Sequence, residues 1–238
     1  MPKLHVLLKR EDLDAARLRD QVVVVLDILF ATTTIVHAFE CGVASVHVAD
    51  DRDDALRIAR DIDGCLLAGE MMGEGLLDFA PSTPLALAGH ALLGRDLVYC
   101  TTNGTRALLA ANPAAHIYAG ALTNGAALAD RIVRDHPDAD VLIVCAGSVG
   151  RFNLEDFHGA GHIVAALQAR ADYALSDAAL AARLAYRADE TRAVLQASRV
   201  GRLIAGLGLQ AEVDHAVIHD NARAVPKLVD ARRLQVTA

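Results

Sequence analysis

The chain has 238 residues, 53% of them hydrophobic but only 4% aromatic, with no tryptophan, so a sizeable core must be built from Val, Leu, Ile and Ala. A net charge of −7, no basic block and few aromatics to stack on bases argue against nucleic acid as a partner. The apolar runs fall short of the ~20 residues that cross a bilayer, and no signal-like stretch follows Met1, so a cytoplasmic protein with no membrane contact is expected.

In chain order, a first strand is expected at 4–8 and a second at 22–26, where four valines and Leu26 show no polar alternation, as in a strand buried on both faces. That run ends on Asp27, and Ala31-Thr32-Thr33-Thr34 then leads into a helix at 34–40. A strand at 45–48, a helix at 52–61 and a strand at 66–68 follow, the last running through Gly69 into Glu70. The strand at 97–100 runs into Thr101-Thr102-Asn103-Gly104-Thr105 and a helix at 105–111. Next come a strand at 116–119, a helix at 123–136 and a strand at 141–145. A glycine-rich loop with Arg151 then opens a helix at 156–171 carrying Glu155 and Asp156 at its start. Beyond residue 176 the pattern turns helical, at 177–186, 189–206 and 212–219, before a short extended element at 225–227. Alternating strands and helices predict an α/β fold, layered α/β/α, with a mostly parallel or mixed sheet and a helical C-terminal section on the same body. Residues 1–238 read as one domain or two intimate lobes, and a homodimer is expected for so alanine-rich a set of helices. Cys41, Cys65, Cys100 and Cys145 show no metal-site spacing and read as reduced and structural.

Two junctions of strand, hydroxyl-rich turn and helix are natural anion cradles, because free N–H groups and the helix dipole meet there. Asp27, Glu70, Glu155 and Asp156 stand beside them at strand ends or a helix start, where open α/β sheets place ligands. Acids beside anion cradles are the components of an Mg²⁺-assisted phosphoryl site. Each feature also has an ordinary structural reading: Thr, Asn and Gly cap helices, and acids favour a first helical turn. His37 and His162 read as packed, His158 stays in reserve, and Arg106 and Arg151 are the cations best placed for a phosphate or sulfonate.

The order Asp27, Ala31-Thr32-Thr33-Thr34-Ile35, Gly69-Glu70, Thr101-Thr102-Asn103-Gly104-Thr105, Cys145-Ala146-Gly147, Gly150-Arg151-Phe152-Asn153-Leu154-Glu155-Asp156 resembles the 2-phosphosulfolactate phosphatase family of coenzyme M biosynthesis. Ser198, Gly201, Leu203, Asp220 and Val225-Pro226 extend the resemblance over nearly the whole chain. It implies an Mg²⁺-dependent phosphatase that converts a small phosphorylated anion, 2-phosphosulfolactate, to 3-sulfolactate and phosphate. Carried over by position, Asp27, Glu70, Glu155 and Asp156 become metal or catalytic groups. Thr32, Thr33, Thr34, Thr102, Asn103, Gly104 and Thr105, with Arg151, become phosphate and substrate contacts. Departures are Phe30 and Met71, where the family usually has Arg, and Ala80-Pro81 with Thr83 inserted before Pro84. A phosphatase with an altered specificity pocket, or a binding protein that holds a small anion without turnover, are both consistent with that pattern. A nucleotide-binding protein is the weakest reading, since no GxGxxG or GxxxxGK[ST] segment is present.

Overall fold

In the computed structural model, which describes residues 1–236, the valine run lies well inside the sheet. Strand β2 (Val22–Leu26) is buried throughout, and its side chains sort alternately into two cores. Val22, Val24 and Leu26 enter one, Val23 and Val25 the other, so the unbroken apolar run reflects helices on both faces.

The remaining strands are β1 (Lys3–Leu7), β3 (Ser45–Ala49), β4 (Leu66–Met71), β5 (Glu74–Gly75), β6 (Asp96–Cys100), β7 (His116–Gly120), β8 (Val141–Cys145), β9 (Ala174–Leu175), β10 (Pro226–Leu228) and β11 (Arg233–Val236). They form one eleven-stranded sheet in the order β5-β4-β6-β3-β11-β10-β7-β2-β8-β1-β9. Strands β4, β6 and β3 run parallel, as do β7, β2, β8, β1 and β9. The antiparallel hairpin β10–β11, from the end of the chain, stitches these two parallel blocks together. The α/β class, the mostly parallel mixed sheet and the helical C-terminal section are as expected.

The helices are α1 (Ala31–Glu40), α2 (Arg52–Ala59), α3 (Pro84–Ala88), α4 (Gly104–Ala110), α5 (Gly125–Asp135), α6 (Leu154–Gln168), α7 (Asp177–Ala185), α8 (Thr191–Ala197), α9 (Arg199–Gly206) and α10 (Gln210–Ala216). The helix expected at 189–206 is broken at Ser198, whose hydroxyl accepts the Gly201 N–H at 2.9 Å and so caps a new helix. Helix α3 went unanticipated, and Glu212 of α10 explains its stability. The buried Glu212 carboxylate accepts Leu85 N, Ala86 N and the Thr83 hydroxyl at 2.6–2.9 Å, satisfying the start of α3. Thr83, the inserted residue, is thus a tie between α3 and the C-terminal section.

The second core gathers Val23 and Val25 of β2, Val46 and Val48 of β3, and Leu97 and Tyr99 of β6 around α1 and α4. The sheet therefore curls over those two helices. Four strands separate β2 from β6 in the sheet, yet their carboxyl ends meet.

The seam between the blocks is thin. Strand β10 meets β7 through Lys227 opposite Tyr118, with the ammonium 5.7 Å from the phenol ring centre. The Tyr118 hydroxyl shares a 2.9 Å hydrogen bond with His136, which stacks on His116 at 4.0 Å. Burial, then the neighbouring His116 and Lys227, push His136 from 6.5 down to about 4. An unfolded chain therefore takes up this proton first as pH falls from 6.5 towards 4, and stability present above that window is lost within it. In thermal melts across pH 4–7, His136→Gln should lose less on acidification than wild type. The imidazole is half-exposed, so screening holds the difference to about 1 kcal/mol, or 2–4 °C, at most.

Candidate active site

Asp27 follows the last residue of β2, where the chain must leave the sheet and start α1. Its backbone is stapled by Thr32: Asp27 N donates to the Thr32 hydroxyl at 2.8 Å, which in turn donates to Asp27 O at 3.0 Å. Its carboxylate accepts the Ala31 N–H at 3.3 Å. This staple moves the helix start forward to Ala31, three residues before the position expected from apolar spacing. Asp27 is buried, and its carboxylate lies against the start of α4. A Cβ added to Gly104 would stand 2.7 Å from Asp27 Oδ2 and 2.4 Å from the Ala31 methyl, so only glycine admits this approach.

The turn that carries Gly104 is locked from several sides. Thr101 N donates to the Thr105 hydroxyl at 3.0 Å, and Thr105 N reaches back to the Thr101 hydroxyl at 3.2 Å. Glu70, on β4, accepts Thr102 N at 2.7 Å, the Thr102 hydroxyl at 2.9 Å and Gly73 N at 2.7 Å. The Asn103 amide oxygen accepts Val149 N at 3.2 Å, tying the turn to the glycine-rich loop. Arg10 donates to the carbonyls of Thr102 and Asn103 at 3.0 and 3.2 Å.

Asp156 works as a strut at the start of α6. One carboxylate oxygen accepts Ile28 N at 2.9 Å and the other accepts Gly147 N at 3.1 Å, joining the segments after β2 and β8. Gly147 has φ +66° and the Arg151 carbonyl 2.7 Å from where a Cβ would sit, which fixes glycine here. Glu155 is the exception among the acids. It is 1% exposed, yet neither carboxylate oxygen has a hydrogen-bond partner. Beside it, Arg199 donates to Asn153 Oδ1 at 3.0 Å.

Electrostatics follow from this packing. Burial raises Asp27 first, and Glu70 and Glu155 add to it against the N–H groups of Ala31 and Gly104, carrying the carboxyl to about 7. Burial, then Asp27 and Glu155, push Asp156 well above its ordinary range despite its two N–H donors. Burial also raises Glu155, opposed only weakly by its own main-chain N–H, by Ser198, whose hydroxyl is spent on Leu195 O, and by the Arg199 charge, none of which makes a formed hydrogen bond to the carboxylate. Four acids thus sit within electrostatic reach of Asp27 or of one another, and among the described residues no ion pair neutralises any of them.

The expected site residues are not used alike. Asp27, Glu70, Glu155, Asp156, Asn103 and Gly104 are drawn to one region by the carboxyl ends of β2, β4, β6 and β8. The threonine hydroxyls are committed within the fold: Thr33 to Ile28 O at 2.9 Å, Thr34 to Ser82 O at 2.9 Å, Thr105 to Thr101 O at 3.1 Å, and Thr32 and Thr102 as above. What these segments offer an anion is the N-terminal end of α1, α4 and α6, not free hydroxyls. Arg151 is exposed on the rim, in a loop closed by paired Ser148 and Arg151 backbones. Arg106 turns away and pairs with Asp50 at 3.1 Å. His158 bonds Thr191 at 2.8 Å in a separate cluster. Arg10 and Arg199 were not anticipated, since neither carries a local pattern and each acts over tens of residues, while Asn153 lies in the Gly150–Asp156 motif without an assigned role. Among the described residues no three His, Cys, Asp or Glu side chains converge to hold a metal unaided. Glu155, with two unpartnered oxygens, and Asp27, facing Gly104, retain the most capacity for a cation.

A family model described as 2-phosphosulpholactate phosphatase matches residues 7–231. A probable 2-phosphosulfolactate phosphatase of Deinococcus radiodurans is 35% identical over 211 residues, covering 87% of this chain and 88% of the relative. One from Carboxydothermus hydrogenoformans is 32% identical over 94% of this chain and 92% of its own length. One from Clostridium acetobutylicum is 29% identical over 98% of this chain and all of the relative.

Burying like charges at Asp27 has a measurable cost. Asp27→Asn keeps the acceptor for Ala31 N–H and removes the charge, so at pH 8 it should raise the thermal unfolding midpoint, by the order of 2 kcal/mol of stability. Calorimetry in metal-free buffer checks this, and a midpoint at or below wild type would contradict the electrostatic account.

Proposed function

The chain belongs to the 2-phosphosulfolactate phosphatase family, and from that premise we propose that it is an Mg²⁺-dependent enzyme hydrolysing 2-phosphosulfolactate to 3-sulfolactate and phosphate. The observation that carries this reading is the approach of the Asp27 carboxylate to the start of α4, permitted by Gly104. It sets an acid beside a helix N-terminus, a pairing suited to gripping a phosphoryl group and presenting an oxygen nucleophile to it.

A divalent cation suits these residues. Glu155 holds two buried oxygens without partners inside a cluster of like charge, and Mg²⁺ takes oxygen ligands from one or two carboxylates, completing its shell with water and substrate oxygens. Asp27 and Glu155 are the proposed holders, with Glu70 and Asp156 as outer acids. When bound, the ion supplies neutralisation of phosphate charge and of the charge that develops on the leaving oxygen.

The protein's own groups do the rest. Asp27, near 7, delivers attack on phosphorus directly or through a water it orients. The N–H groups of Ala31, Thr32, Gly104 and Thr105 are spent on Asp27 and Thr101, so the starts of α1 and α4 act on the transferring group through their helix dipoles. Glu70 and Asp156 hold the turns from which those helices start. Arg151 and Arg199, on the rim, are the guanidiniums left to meet the sulfonate and carboxylate, in place of the arginines lost at Phe30 and Met71. In this reading, sulfonate recognition relies on those two residues, and the substrate range is broader where their contacts are loose.

The test is phosphate release. Wild type with Mg²⁺ should turn over 2-phosphosulfolactate, EDTA should abolish turnover, and Asp27→Asn should lower kcat by ~10³ or more. Turnover indifferent to both EDTA and the substitution would refute the mechanism. An inactive wild type that still binds phosphosulfolactate in calorimetry would support a small-anion-binding protein on this fold.

A further inference from the structure

The segment that leaves β1 through Lys9 and Arg10 lies between two loops that border the acid cluster. On one side, a Cβ added to Gly147 would stand 3.1 Å from Lys9 Cβ, so the segment packs closely on the loop after β8. On the other, the Arg10 side chain, only 17% exposed, directs Nη1 to the Thr102 carbonyl at 3.0 Å and the Asn103 carbonyl at 3.2 Å. Its Nε donates to Glu11 at 3.1 Å, which braces the side chain from the solvent edge. Among the described residues Arg10 forms no ion pair with any acid of the cluster.

A mostly buried cation spent on two neutral oxygens is a costly arrangement, and the second oxygen shows what it achieves. The Asn103 carbonyl and the Gly104 N–H are the two ends of one peptide group. Amide resonance couples them, so a cation on the oxygen draws electron density from the nitrogen and strengthens the N–H as a donor. That N–H acts on the Asp27 carboxylate, where it opposes the effect of burial. Asp27 Oδ2 would stand 2.7 Å from a Gly104 Cβ, so the carboxylate lies directly against this peptide. The same contacts cover two carbonyl oxygens whose partial negative charge would otherwise add to that of the neighbouring carboxylates. The Asn103 carbonyl also accepts Ala107 N at 2.9 Å, so α4 keeps its first bond without Arg10.

We propose that Arg10 is a positioning residue of the acid cluster: its guanidinium fixes and polarises the Asn103–Gly104 peptide, holding the Gly104 N–H on Asp27 for the attack on phosphorus. The kinetic part of this inference rests on the phosphatase reading, whereas the contact it describes does not.

Two variants of the full-length protein test it. Arg10→Met keeps the stem and removes the charge, and Arg10→Lys restores a point charge without the planar fork. The first readout is the Gly104 amide proton in magnetic resonance spectra of protein carrying isotope-labelled glycine, without metal or substrate. Its resonance should move upfield in Arg10→Met and by less in Arg10→Lys, while Gly64 and Gly206, which stand in open surroundings, stay in place. A general loosening of the fold would move all three. The second readout is phosphate release with Mg²⁺. In Arg10→Met kcat should fall ~10-fold or more with KM within ~3-fold of wild type, and Arg10→Lys should recover part of the loss.

A Gly104 resonance unmoved in Arg10→Met would overturn the proposal whatever the activity, and would leave the phosphatase reading intact. A moved resonance with unchanged kcat would overturn the positioning role. Wild type without turnover would refute the phosphatase reading and the kinetic part with it. Should Arg10→Met fail to fold, Arg10→Lys decides alone, since loss of the fork must still move the Gly104 resonance upfield.

Discussion

Four carboxylates gathered at one end of a buried strand are the constraint around which this molecule is built. Like charges in a low-dielectric setting repel, and burial lifts Asp27, Glu155 and Asp156 towards their neutral forms. The fold answers with main-chain donors. Ala31 N serves Asp27, Ile28 N and Gly147 N serve Asp156, and Thr102 N with Gly73 N serve Glu70. Each bond that settles an acid also fixes a loop, so the electrostatic problem and the shape of the site are solved together. Glu155 alone is left without hydrogen bonds, and the burden of an unmatched carboxylate falls there. A group in that condition is typical of a functional position, where local stability is given up for chemistry.

The convergence depends on the far end of the chain. Strands β2 and β6 belong to different parallel blocks, and among the described residues only the hairpin β10–β11 joins the blocks edge to edge. Because β10 and β11 are short, the sheet can curl, and the shared core around α1 and α4 draws the two carboxyl ends together. Glu212 secures the same arrangement from outside by tying α10 to α3. The C-terminal section is therefore part of what assembles the site, although it contributes none of the four acids.

Much of this was legible in the residues. The valine run of β2, unbroken by polar side chains, marks a doubly covered strand, and Asp27 directly after it stands out because a lone acid there needs partners. Gly104, Asn103 and Glu70 lie in motifs whose order is distinctive. The pieces that escaped notice share a physical cause. Strands β5 and β9 are two residues long, β11 is held by partners far along the chain, and α3 depends on Glu212. None of these has a local periodicity to read. Arg10 and Arg199 likewise take their meaning from long-range contacts, whereas Arg106, well placed in sequence, is turned outward to Asp50.

The threonines show how a correct motif can have a different physical role from the obvious one. Hydroxyls next to a phosphate cradle invite reading as ligands, yet Thr32, Thr33, Thr34, Thr102 and Thr105 all spend their protons on carbonyls or on Glu70. A rotatable hydroxyl would have to reorient as charge develops on a transferring group. In the proposed phosphatase reading, the dipole of a helix start fixed by such bonds is already aimed, and it costs no reorganisation when that charge appears. Hydroxyls used as staples would then exchange adaptable ligands for fixed helix ends. Replacing such a threonine by valine would act through the path of the backbone, because what it removes is the bond that holds the helix start in place.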